Sequence, residues 1–410
     1  MRAGIALALG FVFGAQSEAQ LTPAERAIES ARKVIASDPD NAEPFNQLAM
    51  ALARRARETA DPVKYDEAQA ALAQSFHLAP DNFEGLKIRA WLLLGKHEFG
   101  PALELAKRLN DRVADDPMVY GLLTDAHTEL GNYREAEEAA QWMLDLGRSS
   151  VPGLTRAAYL RELFGDIEGA VELMSSAYRR IDPVESEERA WVLTQLAHLY
   201  LLTGKLEEAD GLLEEALRLF PGYHYALANR AKVCIGQGRH TEAADLLRQR
   251  YQAAPHPENL FDLAVALERA SRNEEAREAF ADFENQARAE MSSWDNANSQ
   301  LTFYYADHAG KPAEALRVAG LEMERRRDVY TLDAYAWALH ASGQNADARK
   351  HIETALGVGV RDPKLLYHAG VIALGAGDEE SAGRYLRQSL STNSRSEVAS
   401  EARRLLEGIR

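Results

Sequence analysis

The sequence predicts an all-α solenoid of antiparallel helix hairpins, and three spacings support this. One alanine recurs at Ala68, Ala102, Ala136, Ala170, Ala209, Ala243, Ala276, Ala315, Ala348 and Ala382, at intervals of 34, 34, 34, 39, 34, 33, 39, 33 and 34 residues. Self-similarity at a fixed period of this length marks a stacked repeat architecture. Five residues before this alanine most copies carry glycine, at Gly131, Gly165, Gly204, Gly238, Gly310, Gly343 and Gly377. Glycine there ends a helix in a left-handed conformation that other residues adopt only at a cost. Twelve residues before it most copies carry a small side chain, at Ala90, Ala158, Ala197, Ala231, Ala264, Ala336 and Gly370. Small groups at both places let two antiparallel helices approach closely, while Leu86, Leu193, Leu227, Leu332 and Leu366 supply apolar packing at helical spacing.

Taken in order, residues 1–19 have the layout of a secretory signal: Arg2 and the amino group, an apolar run from Ala3 to Gly14, then Ser17 and Ala19 as small residues before a cut. The run is shorter than the roughly twenty residues that span a bilayer, so no stable membrane insertion is expected. A periplasmic or secreted chain is expected instead. Residues 20–41, with Ala27 and Pro39, read as a lone second helix and so an N-terminal half repeat. Residues 42–396 read as ten hairpins. Extra residues around ARETADPVKY (56–65) are expected to lengthen the inter-helix turn of the first hairpin. The two 39-residue intervals hold polar, turn-rich insertions near Pro183–Glu188 and Met291–Ala297, expected to be loops. Residues 397–410 read as a capping helix whose charged side, with Glu397, Glu401, Arg403 and Arg404, can face water.

These features resemble the tetratricopeptide repeat (TPR), a helix A, a tight glycine turn and a helix B in about 34 residues. The clearest copy is AWVLTQLAHLYLLTGKLEEADGLLEEALRLFPG, Ala190 to Gly222. The phrases RARETADPVKYDEAQAALAQSFHLAPDN, YLRELFGDIEGAVELM, DVYTLDAYAWALHASG and LLYHAGVIALGAGD, in this order, resemble a set of exported bacterial TPR-array proteins. The resemblance implies a right-handed superhelix with helices A lining its concave face. Pentatricopeptide arrays have a similar period, but they read RNA with basic surfaces, and this chain is acidic.

Composition narrows the function classes. With 46% hydrophobic and 27% charged residues the chain is a folded, water-soluble one. Its 47 Lys and Arg against 63 Asp and Glu give a net charge of -16, which repels a phosphate backbone, so no nucleic-acid partner is expected. A single cysteine, Cys234, forms no intramolecular disulfide and no multi-thiolate zinc site. No phosphate-binding glycine loop, nucleophile elbow or HExxH motif occurs, and no two histidines stand four apart. No catalytic residue, metal or cofactor is expected. His340 and His368 read as packing or hydrogen-bonding residues. Arg89 and Arg230, where leucine is usual, read as paired with neighbouring acids.

The TPR resemblance places two positions of helix A in the concave groove. Eleven residues before the recurring alanine these are Trp91, Asp125, Tyr159, His198, Lys232, Val265, Tyr304, Trp337 and Val371; seven residues further back they are Glu84, Met118, Pro152, Trp191, Tyr225, Glu258, Ala297, Tyr330 and Lys364. Seven of these eighteen are aromatic, against 8% of the chain. Rigid rings supply large contact area with few rotamers to freeze, which is why they dominate binding hot spots. The candidate groove therefore comprises Trp91, Asp125, Tyr159, Trp191, His198, Tyr225, Lys232, Tyr304, Tyr330 and Trp337. The expected function is a non-enzymatic exported scaffold that holds a protein or peptide partner there. The alternative is an architectural subunit of an envelope secretion or polysaccharide-export complex, acting through its convex face and ends.

Overall fold

The computed structural model describes residues 21–147 and 150–409; residues 1–20, which carry the expected export signal, lie outside them. Every regular element among the described residues is helical. A first helix α1 (Pro23–Ser37) precedes ten hairpins. Hairpins 1 to 5 are α2 (Glu43–Thr59) with α3 (Val63–Leu78), α4 (Phe83–Gly95) with α5 (Phe99–Arg112), α6 (Pro117–Glu129) with α7 (Tyr133–Gly147), α8 (Val151–Leu163) with α9 (Ile167–Tyr178), and α10 (Ser186–Leu202) with α11 (Leu206–Leu219). Hairpins 6 and 7 are α12 (His224–Gly236) with α13 (His240–Ala253) and α14 (Pro257–Arg269) with α15 (Asn273–Ala289). In hairpin 8, α16 (Asn298–Phe303) runs into a π-helical turn, Tyr304–His308, before α17 (Pro312–Arg325). Hairpins 9 and 10 are α18 (Val329–Ala341) with α19 (Asn345–Gly357) and α20 (Pro363–Gly375) with α21 (Glu379–Thr392), and α22 (Ala399–Gly408) follows.

The spacings are explained by contact. Nine of the ten recurring alanines are 0% exposed, and Ala276 is 3% exposed, because each sits at the crossing of its own two helices. A larger side chain there would force the helices apart. Helix starts are fixed by acceptors aimed at free backbone N–H groups: Asp116, Asp328 and Asp362 each accept two of them ahead of α6, α18 and α20. Successive first helices also touch one another, α2 with α4, α4 with α6, α6 with α8, α10 with α12, α16 with α18 and α18 with α20. The array therefore curves with its first helices inside.

The curvature is tight enough for the solenoid to coil back on itself. The turn of hairpin 3 lies against the start of hairpin 9: Arg327 N–H donates to the Glu129 carbonyl at 2.9 Å, and Val329 N–H to the Tyr133 hydroxyl at 3.0 Å. The turn of hairpin 4 meets the loop before hairpin 10 so closely that a Cβ on Gly165 would lie 2.4 Å from the Gly359 carbonyl oxygen. The turn of hairpin 5 meets the segment after hairpin 10, where Asn393 Nδ2 donates to the Leu201 carbonyl at 2.8 Å and Arg395 to that of Gly204 at 2.7 Å. These three seams step six hairpins at a time.

The insertions take part in this closure, and two of them depart from the loop expectation. The residues after Ala56 continue α2, which runs for 17 residues and stops only at a left-handed Ala60. The insertion near Pro183–Glu188 likewise lengthens α10 at its start, again to 17 residues. The two added turns meet: Arg54 reaches Glu185 at 2.6 Å and Arg57 Nε reaches Glu187 at 3.0 Å. Glu187 is 0% exposed and also accepts from the Tyr223 hydroxyl at 2.8 Å, so the pair is hydrogen-bonded on both sides as a buried carboxylate requires. The third insertion stays a loop. Its Trp294 stacks edge-on against Tyr65, with Lys96 over the indole.

Candidate functional site

The inner side of the coil is built from the inward positions of the first helices, now brought together from two successive turns. Tyr159 on α8 and Tyr330 on α18, five hairpins apart, lie against the same apolar cluster as Tyr133, Leu332 and Val360. Burial, with Glu129 next for Tyr159 and Glu162 next for Tyr330, raises both hydroxyls well above their ordinary value, so both stay protonated as donors. His198 Nε2 lies 2.9 Å from Glu162. Tyr225 rests on His224 with ring centroids 3.9 Å apart, and burial with the nearby Glu258 pushes its hydroxyl up to about 12.

The remaining expected residues divide by what they touch. Asp125 is held by Arg156 in a two-pronged pair at 2.8 and 2.6 Å, and so is satisfied within the chain. Trp91 is half-buried between the core clusters of the first two hairpins, and Trp191 between those of hairpins 4 and 5. These indoles cement neighbouring hairpins. Trp337 stacks on His368 at 4.1 Å and donates from Nε1 to Asp307 at 2.8 Å, while Asp333 accepts from His368 at 2.7 Å. Lys232 is exposed. Arg230 pairs with Asp210 and Glu214, whereas Arg89 is exposed.

Tyr304 is a correction. Its ring packs outward on Phe280 and Phe283 of α15, and its hydroxyl donates to Glu284 at 3.2 Å. The π-helical turn inserts one residue upstream of the glycine, which rotates every earlier position of that helix by about 100°. Thr302, 0% exposed, then fills the small-residue position, and Phe303 takes the inward one, with Lys364 Nζ 4.4 Å from its ring centroid. Bulky Phe303 standing where the other copies carry alanine was the available signal. Arg57, Glu187, Arg269 and Glu397 also reach the inner side without belonging to either expected series, because the contacts that place them there come from the other turn of the coil.

Among the described residues no group of three or more His, Cys, Asp or Glu side chains is arranged to hold a metal ion, and no helix is long and apolar enough to cross a membrane. The arrangement can hold and orient a chain by stacking and hydrogen bonding.

A family profile described as tetratricopeptide repeat matches residues 194–257 and 335–397, which are hairpins on both turns of this helix-turn-helix coil. These stretches are tetratricopeptide repeats, and the fold that holds them is an all-α TPR solenoid. Among solved structures, the TPR protein is similar to a human IFIT1 dimer with m7Gppp-AAAA, at 14% identity over 90% of this chain and 86% of that one, with a TM-score of 0.52. It is also similar to a tetratricopeptide repeat protein from Parabacteroides merdae, at 22% identity over 63% and 99% of the two chains and a TM-score of 0.37. For yeast Tom70 the identity is 13% over 88% and 95%, with a TM-score of 0.38. No curated protein sequence matches the TPR protein. At such identities the likeness to IFIT1 concerns the fold alone, an all-α TPR solenoid.

Proposed function

We propose that this TPR protein is an exported, non-enzymatic scaffold that holds an extended polypeptide segment of its partner on the inner side of the coil. The observation that carries the reading is the set of half-buried rings there, Tyr159, Tyr225, Tyr330, Phe303 and Trp337, beside the exposed Lys232. Half-buried rings retain a face for stacking, and polar neighbours fix direction more than affinity. The RNA in the IFIT1 complex belongs to that protein; here the inner arginines Arg57, Arg156, Arg250 and Arg326 already face carboxylates, which leaves little to neutralise phosphates. Export rests on the layout of residues 1–19, and its test is amino-terminal sequencing of the chain from its native host, where a start near Gln20 is expected.

The second reading, an architectural subunit of an envelope complex acting through its outer face, is favoured by Trp142. This ring lies on α7, a second helix, and remains 53% exposed. The two readings separate in affinity capture of the native partner from envelope extract. Trp337→Ala with Lys232→Gln is expected to weaken capture about tenfold, since a hot-spot ring contributes about 1–2 kcal/mol or more. Trp142→Ala is expected to leave it unchanged. The reverse pattern, with helix content equal in all forms, would establish the outer face instead. Trp191 is unsuitable for this test because it bridges two core clusters.

A further inference from the structure

Most cations inside the coil own a carboxylate: Arg57 has Glu187, Arg156 has Asp125, Arg250 has Asp262 and Glu258, and Arg326 has Glu129, Glu322 and Asp328. Three do not follow this pattern. Arg269, the last residue of α14, and Lys364, in the first turn of α20, share Glu397 as their one ion-pair partner among the described residues, each at 3.9 Å. Lys232 on α12 makes no ion pair among the described residues, and its charge acts through space on Asp262 as well as on Glu397. The three cations come from hairpins 6, 7 and 10.

Glu397 belongs to the strap that links α21 to α22. The strap is held on one flank by the bonds of Asn393 and Arg395 to hairpin 5, and Arg269 Nη1 donates to the Glu397 carbonyl at 3.2 Å. Its carboxylate, in contrast, reaches its cations only at the outer limit of an ion pair. A side chain 39% exposed is open to exchange with a competitor. Other acids nearby are already engaged: Asp333 with His368, Asp307 with Trp337, Asp262 with Arg250, and Asp362 as the cap of α20. Burial by itself would raise the Glu397 carboxyl, but Lys364, Arg269, Lys232 and His368 together more than offset it and hold it below its ordinary value.

We infer that Arg269 and Lys364 form a carboxylate site for an acidic polypeptide segment, and that Glu397 is the strap's built-in competitor for that site. This rests on the reading that the inner side takes polypeptide. An incoming glutamate or aspartate that approaches to 2.7–2.9 Å gains charge-assisted hydrogen bonds that Glu397 does not make. The overall charge of -16 opposes such a partner at long range, so recognition is short-range and the strap keeps unselected acids out. The site differs from a groove on adjacent hairpins in that its two cations stand three hairpins apart, on α14 and α20.

The test uses the full chain and a fluorescent, carboxyl-amidated hexaglutamate peptide at low ionic strength, with a hexaglutamine peptide as control, read by anisotropy. Glu397→Gln, and independently Glu397→Ala, is expected to bind the glutamate peptide about fivefold or more tightly than wild type, because the competitor is removed. Adding Lys364→Gln and Arg269→Gln is expected to abolish that gain. In wild type, saturating glutamate peptide is expected to speed amide exchange at residues 394–398. Equal affinity of wild type and both Glu397 variants, or a gain that survives loss of Lys364 and Arg269, overturns the inference. So does equal response to hexaglutamine. None of these results touches capture of the native partner by the single variant Trp337→Ala, which leaves Lys232, Arg269 and Lys364 in place and so reads the groove separately.

Discussion

Gly165 and Gly343 occupy the same place in their hairpins, with φ of 79° and 76°, but they have different surroundings. Nothing lies near a Cβ built on Gly343, whereas on Gly165 it would strike the Gly359 carbonyl of the next coil turn. Gly343→Ala is therefore expected to cost about 1 kcal/mol for the left-handed backbone alone. Gly165→Ala adds overpacking of about 1–3 kcal/mol at the seam. Denaturant unfolding of the two variants checks this, and equal losses would mean that the seam is looser than 2.4 Å implies. The glycine spacing was legible in the sequence because φ above zero is a local demand. The second role of Gly165 was not, since its partner is 194 positions away in the chain. Tyr304 was misread for the opposite reason, a purely local one: a π-helical turn changes the register without changing the glycine-to-alanine spacing that was used to count.

Among the elements, the end of α6 facing the start of α18 carries an electrostatic signature. Burial, then the neighbouring Asp328, raises the Glu129 carboxyl from 4.5 to about 7, against the opposing pull of Arg326. A carboxyl whose folded pKa exceeds its unfolded one binds more protons in the folded state between those two values, so its contribution to stability is present below about pH 4.5 and is lost as pH rises through about 7. Glu129→Gln is expected to raise the thermal midpoint above pH 7 and to leave it nearly unchanged near pH 4. His97 and His224, lowered to about 4 chiefly by burial, act in the other direction as pH falls below 6.5, and comparison of variant with wild type at each pH cancels them. Helix content was the most legible feature at this scale, and insertion structure the least. The run ARET, which opens the stretch expected to lengthen the first inter-helix turn, is made largely of good helix formers and continues α2.

For the whole molecule, an open solenoid stores its stability in nearest-neighbour interfaces, so damage at one end stays there. Here the end is tied to the middle. Truncation after Thr392 removes Asn393 and Arg395, and with them the partners of the Leu201 and Gly204 carbonyls and of Glu207. Faster amide exchange is expected across residues 201–207 of hairpin 5, with α1 and α2 unaffected. Exchange confined to α20 and α21 would show that the coil is energetically open. The repeats were legible because periodicity survives in one dimension, whereas the seams pair residues more than 180 positions apart that follow no period.

The six-hairpin step has a consequence for how such a chain can change length. An open array can gain or lose a unit by duplication, since each new hairpin meets the same neighbour as the old one did. In the closed coil a hairpin added between hairpins 5 and 9 would carry Gly165 past Gly359 and set it opposite a side chain belonging to another unit, and the other two seams would slip with it. Length is thus fixed by geometry as firmly as by the ends. Insertions within a turn, of the kind that lengthen α2 and α10, leave the six-hairpin step intact.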